Sequence, residues 1–341
     1  MKAVQVDAYN KEPVVRDVPE PALQSPDDVI IRIGGAGLCR TDVHVIEGQW
    51  ADKTEVPLPY TLGHENAGWV EQVGDGVTNV SVGDAVILHP HITCGQCLPC
   101  RAGEDMHCLD SGFPGIDTDG GMAEYLRTSA RACVPLPDGV EPKAVAAHAD
   151  AGLTAHHAAR KAAKLLAPNE RCVVIGSGGL GHIGIQCLAA MSAAEIIVVD
   201  PNPAARELAV RSGAHHAIGV DGAVDAVMEL TDGQGAEGLI DFVGEFGAVE
   251  MGKQMLRRHG TYYVVGYSDP LEIPTIDIIS TEISFVGCLV GTYTDLVELM
   301  NLAARGLVDL ETVEYPLSRI NDAIADLEAG KLQGRGILIP D

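Results

Sequence analysis

The apolar positions in the first 145 residues fall in short runs that are separated by turn signals. Residues 29–37 (VIIRIGGAG) alternate loosely, and residues 67–88 hold Val-rich runs broken by Gly-Asp-Gly and Gly-Asp. Turn residues between β-branched runs are typical of strands joined by hairpins. The pattern predicts a first lobe that is rich in strands and resembles a distorted antiparallel barrel.

Near residue 150 the pattern changes to helical spacing. Residues 147–167 are rich in Ala and Leu, and residues 171–200 then read as strand, Gly-rich turn, helix and strand. Further short apolar runs alternate with helical segments, which is typical of a parallel, doubly wound α/β sheet. A last strand at 334–340 is expected to return to the first lobe. The expected domains are therefore 1–150 together with 291–341, and 151–290.

Composition and charge narrow the classes of function. The 341 residues are 46% apolar and 21% charged, which is enough to fill two hydrophobic cores and gives no disorder signature. The net charge of −25 makes nucleic acids and anionic membranes poor partners and is compatible with a salty setting. The N-terminus lacks a signal-peptide pattern, and no apolar stretch of membrane-spanning length occurs. With an odd count of nine cysteines, we expect a cytoplasmic protein whose thiols bind metal or pack in the core.

Four of these cysteines are closely spaced. Cys94, Cys97, Cys100 and Cys108 follow the spacing Cys-x2-Cys-x2-Cys-x7-Cys. Four thiolates this close in sequence can surround one ion tetrahedrally, as structural zinc prefers. The sequence therefore predicts a structural zinc site in the first lobe.

A glycine motif follows an apolar strand in the second lobe. Gly176, Gly178 and Gly181 form GxGxxG, a helix pattern begins at once, and Asp200 ends the next strand. The glycines permit a tight turn, close approach of a pyrophosphate and close helix packing, and the helix N-terminus favours phosphate. Asp200 would bond the ribose hydroxyls and repel a 2′-phosphate, so we expect NAD in preference to NADP. The alternative is a Gly-rich turn that binds nothing.

A second metal site is the weaker prediction from the residues alone. Cys39 and His64 offer a sulfur and a nitrogen, and other polar side chains surround each of them. Asp150 and His148 compete as the third ligand. Each residue also has a purely structural interpretation. A lone Cys is usually a small buried apolar residue, and a lone His usually has ordinary hydrogen-bond partners.

Taken together, these segments resemble the zinc-dependent medium-chain alcohol dehydrogenases over essentially the whole chain. The resemblance rests on GLCRTDVH (37–44), LGHE (62–65), GDAV (83–86), the four-cysteine motif and the GSGGLG turn (176–181). It implies a GroES-like antiparallel β-barrel catalytic domain and a Rossmann coenzyme domain. It also implies two zinc ions per chain, one catalytic and one structural, together with NAD.

The resemblance assigns roles around the catalytic zinc. Cys39 and His64 resemble its first two ligands, and Asp150 falls where the family has a Cys or an Asp as the third. Glu65 resembles an acid that approaches the metal during ligand exchange. Asp42 resembles the carboxylate that orients the zinc-bound imidazole.

The resemblance also assigns a proton relay and the cofactor contacts. Thr41 resembles the hydroxyl that takes the substrate proton, and His44 the residue that passes it on to solvent through the nicotinamide ribose; both could instead cap or solvate a helix start. Trp50 and Leu289, together with the loop at Phe113, occupy pocket-lining positions. The implied cofactor contacts are Arg40, Thr154, Gly176, Gly178, Gly179, Leu180, Gly181, Asp200, Val265 and Arg335.

The implied activity is reversible hydride transfer between primary or secondary alcohols and NAD, giving aldehydes or ketones. This is the reaction of an alcohol:NAD oxidoreductase. The family contains dimers and tetramers, so the resemblance implies a homotetramer, with a homodimer as the alternative. One alternative is a polyol or other specialised-alcohol dehydrogenase of the same superfamily. A zinc-free quinone reductase relative is disfavoured by the cysteine motif, and a zinc-ribbon module fused to a nucleotide sensor would lack catalysis.

Overall fold

A computed structural model describes residues 1–54 and 56–341. The chain divides into two compact units. Unit 1 comprises Met1–Leu153, Thr292–Ala304 and Leu310–Asp341, and unit 2 comprises Thr154–Gly291 and Arg305–Asp309. The domains expected from the sequence, 1–150 with 291–341 and 151–290, stay a prediction; residues 305–309 belong to unit 2 in the structure.

The elements follow one another along the chain. The strands are β1 Lys2–Val6, β2 Val14–Asp17, β3 Asp28–Leu38, β4 Tyr60–Thr61, β5 Glu65–Val73, β6 Ala85–Leu88, β7 Tyr125–Ser129, β8 Cys133–Pro135, β9 Arg171–Ile175, β10 Glu195–Val199, β11 His216–Ile218, β12 Ala236–Asp241, β13 Leu256–Val264, β14 Ser284–Gly287, β15 Thr312–Pro316 and β16 Arg335–Ile339. The α-helices are α1 Arg40–Ile46, α2 Ala51–Thr54, α3 Leu98–Ala102, α4 Pro142–Val145, α5 Ala151–Ala163, α6 Gly181–Met191, α7 Pro203–Arg211, α8 Ala223–Leu230, α9 Ala248–Met255, α10 Thr275–Thr281, α11 Tyr293–Ala304 and α12 Ile320–Glu328. Within the described residues, none of these helices is both long and apolar enough to cross a membrane.

Unit 1 is built on two largely antiparallel sheets. The larger runs in the order β15-β16-β3-β5-β6-β8, with β7 also paired to β3, and the smaller runs β2-β1-β4. Between named strands of the described residues in this unit, β15 and β16 form the one parallel pair. The last strand, β16, pairs with β3, so its predicted return to the first lobe is confirmed. Val29, Ile31 and Val86 are fully buried in the core of this unit.

The register of three strands in the larger sheet brings polar side chains together. Gly37 of β3 lies opposite Glu65 of β5. On its other side β3 pairs with β16, where Leu38 lies opposite Gly336, next to Arg335. Glu65 and Arg335 therefore approach each other across β3, although the sequence separates them by 270 positions.

Unit 2 contains a six-stranded parallel sheet. Its order is β11-β10-β9-β12-β13-β14, which counted from β9 is the 3-2-1-4-5-6 order of the Rossmann fold. Four of the five residues in both β9 and β10 are buried, as expected for strands covered by helices on both faces. The strand order reverses between β9 and β12, which is where this architecture binds nucleotides.

Candidate functional site

The first candidate centre is a buried cluster of metal-binding side chains in unit 1. Cys39 precedes α1, His64 precedes β5, and Asp150 precedes α5. With Glu65, they place one ligand atom each within 4.8 Å of one another. Among the described residues His148 is not part of this group, so the geometry favours Asp150 as the third ligand.

Asp42 connects the first two of these ligands. Its Oδ2 accepts a hydrogen bond from the backbone nitrogen of Cys39 at 2.8 Å, and its Oδ1 lies 3.3 Å from Nδ1 of His64. The side chain of Asp42 is completely buried. A carboxylate facing Nδ1 favours the tautomer that carries the proton there, and it leaves the lone pair of Nε2 for a metal.

The free side of the His64 ring points into the cluster. Its Nε2 lies 3.5 Å from Oδ2 of Asp150 and has no hydrogen-bond partner among the described residues. Burial raises the pKa of Asp150, but the imidazole outweighs this effect and the pKa is lowered. The thiol of Cys39, the unpartnered Nε2 of His64 and the carboxylate of Asp150 form a ligand set that fits catalytic zinc. Such a zinc ion keeps its fourth position for substrate.

An ion pair lies beside the cluster. Nε of Arg335 donates to Oε2 of Glu65 at 3.0 Å, and its Nη2 bonds Oε1. Burial raises the pKa of Glu65, although Arg335 opposes this. A methyl group at Gly37 would overlap Oε2 of Glu65, so only glycine leaves room for the pair. These contacts show Arg335 holding Glu65, and its expected contact with the cofactor remains a prediction.

The candidate relay residues lie on α1. Cys39 occupies the N-cap position, so Thr41 is in the first turn and is not the cap residue. Thr41 is partly buried, His44 is buried, and Arg40 is exposed. Thr41 and His44 therefore follow the first metal ligand on one short helix, and their roles remain predictions.

The second metal candidate is the four-cysteine cluster, also in unit 1. One ligand atom from each of Cys94, Cys97, Cys100 and Cys108 lies within 4.8 Å of the others, and all four thiols are free. The backbone N–H groups of Cys100 and Leu109 lower the pKa of the Cys97 thiol to about 6. A thiol poised to ionise within a set of four sulfurs fits a closed, structural zinc site.

The Gly-rich turn of unit 2 joins β9 to α6. Gly176 has φ of +84°, which glycine adopts without strain. A methyl group at Gly181 would overlap the carbonyl oxygen of Gly176, whereas one at Gly178 would meet open space. Gly178 is therefore where a pyrophosphate can approach the backbone, in front of the N–H groups that begin α6. Gly179 and Leu180 complete this turn.

Asp200 lies beside this turn and helps to hold it. Its Oδ2 accepts hydrogen bonds from the backbone nitrogen and Oγ of Ser177, at 2.8 and 3.1 Å. Its Oδ1 accepts from the backbone nitrogen of Asn202 at 2.8 Å. Nη1 of Arg206 donates hydrogen bonds to the carbonyl oxygens of Asp200 and Pro201, at 2.8 and 2.9 Å.

The remaining candidates are distributed over both units. Val265 follows β13, and its nitrogen donates to the carbonyl oxygen of Asp241 at 3.0 Å, at the carboxyl edge of the parallel sheet. Thr154 is buried in unit 2, where Leu289 is half exposed. Trp50 belongs to unit 1, where the ammonium of Lys53 lies 5.0 Å from its ring centroid.

Three features that support the candidate sites are not apparent from the sequence. They are the Glu65–Arg335 pair, the bond that Asp42 accepts from the backbone of Cys39, and the bonds that Asp200 accepts from Ser177. The glycines within residues 29–37 carry one usable signal, because glycine inside a strand often marks a close approach. The partners themselves are set by tertiary structure.

Comparisons with known proteins agree with this geometry. Residues 25–138 match the family model described as alcohol dehydrogenase GroES-like domain, and residues 179–305 match zinc-binding dehydrogenase. An NAD-dependent alcohol dehydrogenase of Sulfurisphaera tokodaii is 35% identical, with all of both chains covered. An alcohol dehydrogenase of Geobacillus stearothermophilus is 33% identical over the same full coverage. The crystal structure of the alcohol dehydrogenase from Aeropyrum pernix covers all of both chains, with 45% identity and a TM-score of 0.97. The chain therefore belongs to the zinc-dependent medium-chain dehydrogenase/reductase family.

Proposed function

We propose that this protein is an NAD-dependent alcohol dehydrogenase that interconverts alcohols and the corresponding aldehydes or ketones. The observation that carries the proposal is the group of Cys39, His64 and Asp150, of which the first two are buried and the third partly buried, with one ligand atom from each within 4.8 Å of the others. Three protein ligands are what a catalytic zinc site provides, because a fourth position must stay open for substrate. The names of the relatives described above support the same reaction.

Cys39, His64 and Asp150 would hold the catalytic zinc, and the four-cysteine cluster would hold a second zinc that supports folding. When bound in the first site, zinc supplies a Lewis acid that lowers the pKa of a substrate hydroxyl. Asp42 keeps the His64 ring in the orientation that presents Nε2 to the metal. Arg335 holds Glu65 and balances its charge beside the centre.

The proton of the alcohol needs an acceptor in the protein. Thr41 lies two positions after Cys39 in the first turn of α1, so we assign its hydroxyl as the group that accepts this proton. His44, one turn later on the same helix, would pass the proton outward. NAD would be held at the turn of unit 2 by Gly176, Gly178 and Asp200. Its nicotinamide ring would supply the acceptor for the hydride of the carbon that bears the hydroxyl.

A substrate panel and a metal count test the proposal together. The purified chain should contain two zinc ions and should reduce NAD, followed at 340 nm, with primary or secondary alcohols. A protein that binds NAD and two zinc ions but oxidises none of these alcohols would contradict the proposal. The non-catalytic zinc module would then be the better interpretation.

Replacing Thr41 with alanine is expected to lower kcat by about 100-fold, in the range that general acid–base groups contribute. Both zinc ions should remain, because Thr41 is not among the clustered ligands. Steady-state kinetics with a metal count measures this. Thr41→Ser keeps the hydroxyl and should retain most of the activity. If Thr41→Ala turned over at the wild-type rate, the proton would take another path.

Replacing Asp200 with asparagine is expected to raise the ratio of kcat/KM for NADP to that for NAD by at least about tenfold. Two unit charges about 4 Å apart repel by roughly 4 kcal/mol near a protein surface, so removing one charge readily exceeds a tenfold effect. Asparagine keeps an oxygen that can accept the bond from Ser177. Initial rates with each cofactor measure the ratio.

Asp232→Asn is the matched control for this change. The side chain of Asp232 is 87% exposed and lies 3.7 Å from Nη2 of Arg171. Arg171 is the first residue of β9, so it lies at the edge of the sheet opposite the Gly-rich turn. This substitution removes the same charge and should leave the cofactor ratio unaltered. Equal ratios in both variants and the wild type would show that Asp200 does not select the cofactor.

A further inference from the structure

A short backbone bridge in unit 1 places two rings side by side. The nitrogen of Ile92 donates to the carbonyl oxygen of Gly112 at 2.8 Å, and the nitrogen of Gly112 donates back at 3.0 Å. The neighbours of these residues, His91 and Phe113, have ring centroids 4.3 Å apart. The nitrogen of Phe113 is fixed by Oδ1 of Asp117 at 2.5 Å. The His91 ring is therefore held by the loops on both sides.

The same phenyl ring contacts the candidate catalytic centre. The ring of His64 meets Phe113 edge to face, with centroids 5.9 Å apart. The phenyl ring of Phe113 therefore contacts both His64, a proposed zinc ligand, and His91, which is not part of the metal clusters found among the described residues. An alcohol bound at the zinc beside His64 would therefore extend its carbon skeleton within one ring of His91.

The imidazole of His91 is a buried polar group. It is 7% exposed, and neither Nδ1 nor Nε2 has a hydrogen-bond partner among the described residues. Burial and the neighbouring His89 lower the pKa of His91 to about 4, although Asp150 raises it. The ring is therefore neutral at pH 7, with one nitrogen that donates and one that accepts. Buried polar groups without partners are rare in native proteins, and each one calls for an explanation such as a bound molecule.

We propose that His91 is a specificity-determining residue that hydrogen-bonds a second hydroxyl of the substrate, so that the site favours 1,2-diols and related polyols over monofunctional alcohols. This inference rests on the proposed alcohol dehydrogenase activity and deepens it. In the reverse direction the favoured substrates are α-hydroxy carbonyl compounds.

The chemistry around His91 selects a hydroxyl over a charged group. A neutral imidazole matches a hydroxyl, which both donates and accepts. The carboxylates of Asp150 and Glu65 disfavour an anionic substituent, and the guanidinium of Arg335 is already bonded to Glu65. A monofunctional alcohol would leave the buried nitrogens of His91 unpaired, and sites built to bond a hydroxyl discriminate against such analogues.

The test compares 2,3-butanediol with 2-butanol, which share a carbon skeleton and differ by one hydroxyl. His91→Phe keeps a ring against Phe113 and removes both nitrogens. We expect it to lower the ratio of kcat/KM for the diol to that for 2-butanol by about tenfold, as the loss of a buried hydrogen bond implies. His91→Gln keeps a donor and an acceptor, and it should restore most of the ratio. The change should appear mainly in KM.

The outcomes distinguish a substrate-binding role of the His91 imidazole from a purely structural one. An unaltered ratio in His91→Phe would overturn the inference, since the nitrogens would then bond only water. An equal loss on both substrates would also overturn it, because that result indicates a structural role. If His91→Phe does not fold, His91→Leu carries the same expectation. Wild-type protein that oxidises neither substrate would refute the proposed function itself, whereas good oxidation of 2-butanol with an unaltered ratio would refute only the role of His91.

Discussion

Replacing Cys39 with serine is expected to abolish alcohol oxidation while NAD still binds. Serine removes the only sulfur among the clustered ligands of the first centre, so the zinc count should fall from two to one per chain. Zinc in such a site stabilises developing charge by several kcal/mol, and each 1.36 kcal/mol is a factor of ten in rate. We therefore expect kcat/KM to fall by at least about 1,000-fold. Metal analysis, steady-state kinetics and an NADH-binding titration measure the three effects.

Cys133→Ser is the matched control for this experiment. Cys133 is equally a buried cysteine of unit 1, but among the described residues it does not belong to either sulfur-containing metal cluster. Burial raises the pKa of its thiol to about 12, so it remains protonated and inert. This variant should keep both zinc ions and most of the activity. Retention of two zinc ions and near wild-type turnover in Cys39→Ser would remove the basis of the proposed mechanism.

Sequence reasoning succeeds where the chemistry is local. The four cysteines lie within 15 consecutive positions, so their spacing alone limits how far apart the sulfurs can be. The turn at 176–181 is likewise specified by its own glycines, because strand, turn and helix are contiguous in the chain. The 2-residue and 3.6-residue periodicities distinguish the strand-rich first lobe from the α/β second lobe. The β-α alternation predicts a parallel sheet in unit 2 with right-handed crossovers, whereas the order of its strands comes from the structure.

The catalytic cluster lies at the limit of that reasoning. Cys39, His64 and Asp150 come from three separate junctions, and nothing in their spacing predicts that their ligand atoms meet. The resemblance to a known family supplied the set, and the fold supplies the distances. Asp150 and His148 lie two positions apart, so the residues alone left both open, and the geometry places Asp150 in the cluster.

The resemblance implied that Asp42 orients the imidazole of His64, but the geometry of the supporting contacts was beyond sequence reasoning. The pairing of Glu65 with Arg335 needs the register of three strands, and Asp42 needs the end of β3 and the start of β5 to lie together. The contact of His91 with Phe113 depends on one isolated backbone bridge between loops. In each case the partners are polar or aromatic groups, and the tertiary fold determines which group each of them contacts.

Replacing Cys97 with serine is expected to destabilise the protein and to leave the chemistry of the first centre intact. Serine leaves three sulfurs for a site that prefers four thiolates, so the structural zinc should be lost. Binding of a structural metal contributes directly to the free energy of folding. A loss of about 4 kcal/mol lowers Tm by roughly 8–16 °C for domains of 150–250 residues. Thermal unfolding followed by circular dichroism, with a metal count, measures the change.

The two cysteine variants separate the two zinc roles because each should lose one ion with a different consequence. Cys97→Ser should retain kcat/KM per folded chain at a temperature well below its Tm, whereas Cys39→Ser should lose activity at every temperature. Cys133→Ser again serves as the control, since it loses a buried thiol outside both clusters. If Cys97→Ser kept two zinc ions and its Tm fell no more than that of this control, the four sulfurs would not form a structural site. If it instead lost activity while it remained fully folded at the assay temperature, the cluster would contribute to catalysis and the division between the centres would be wrong.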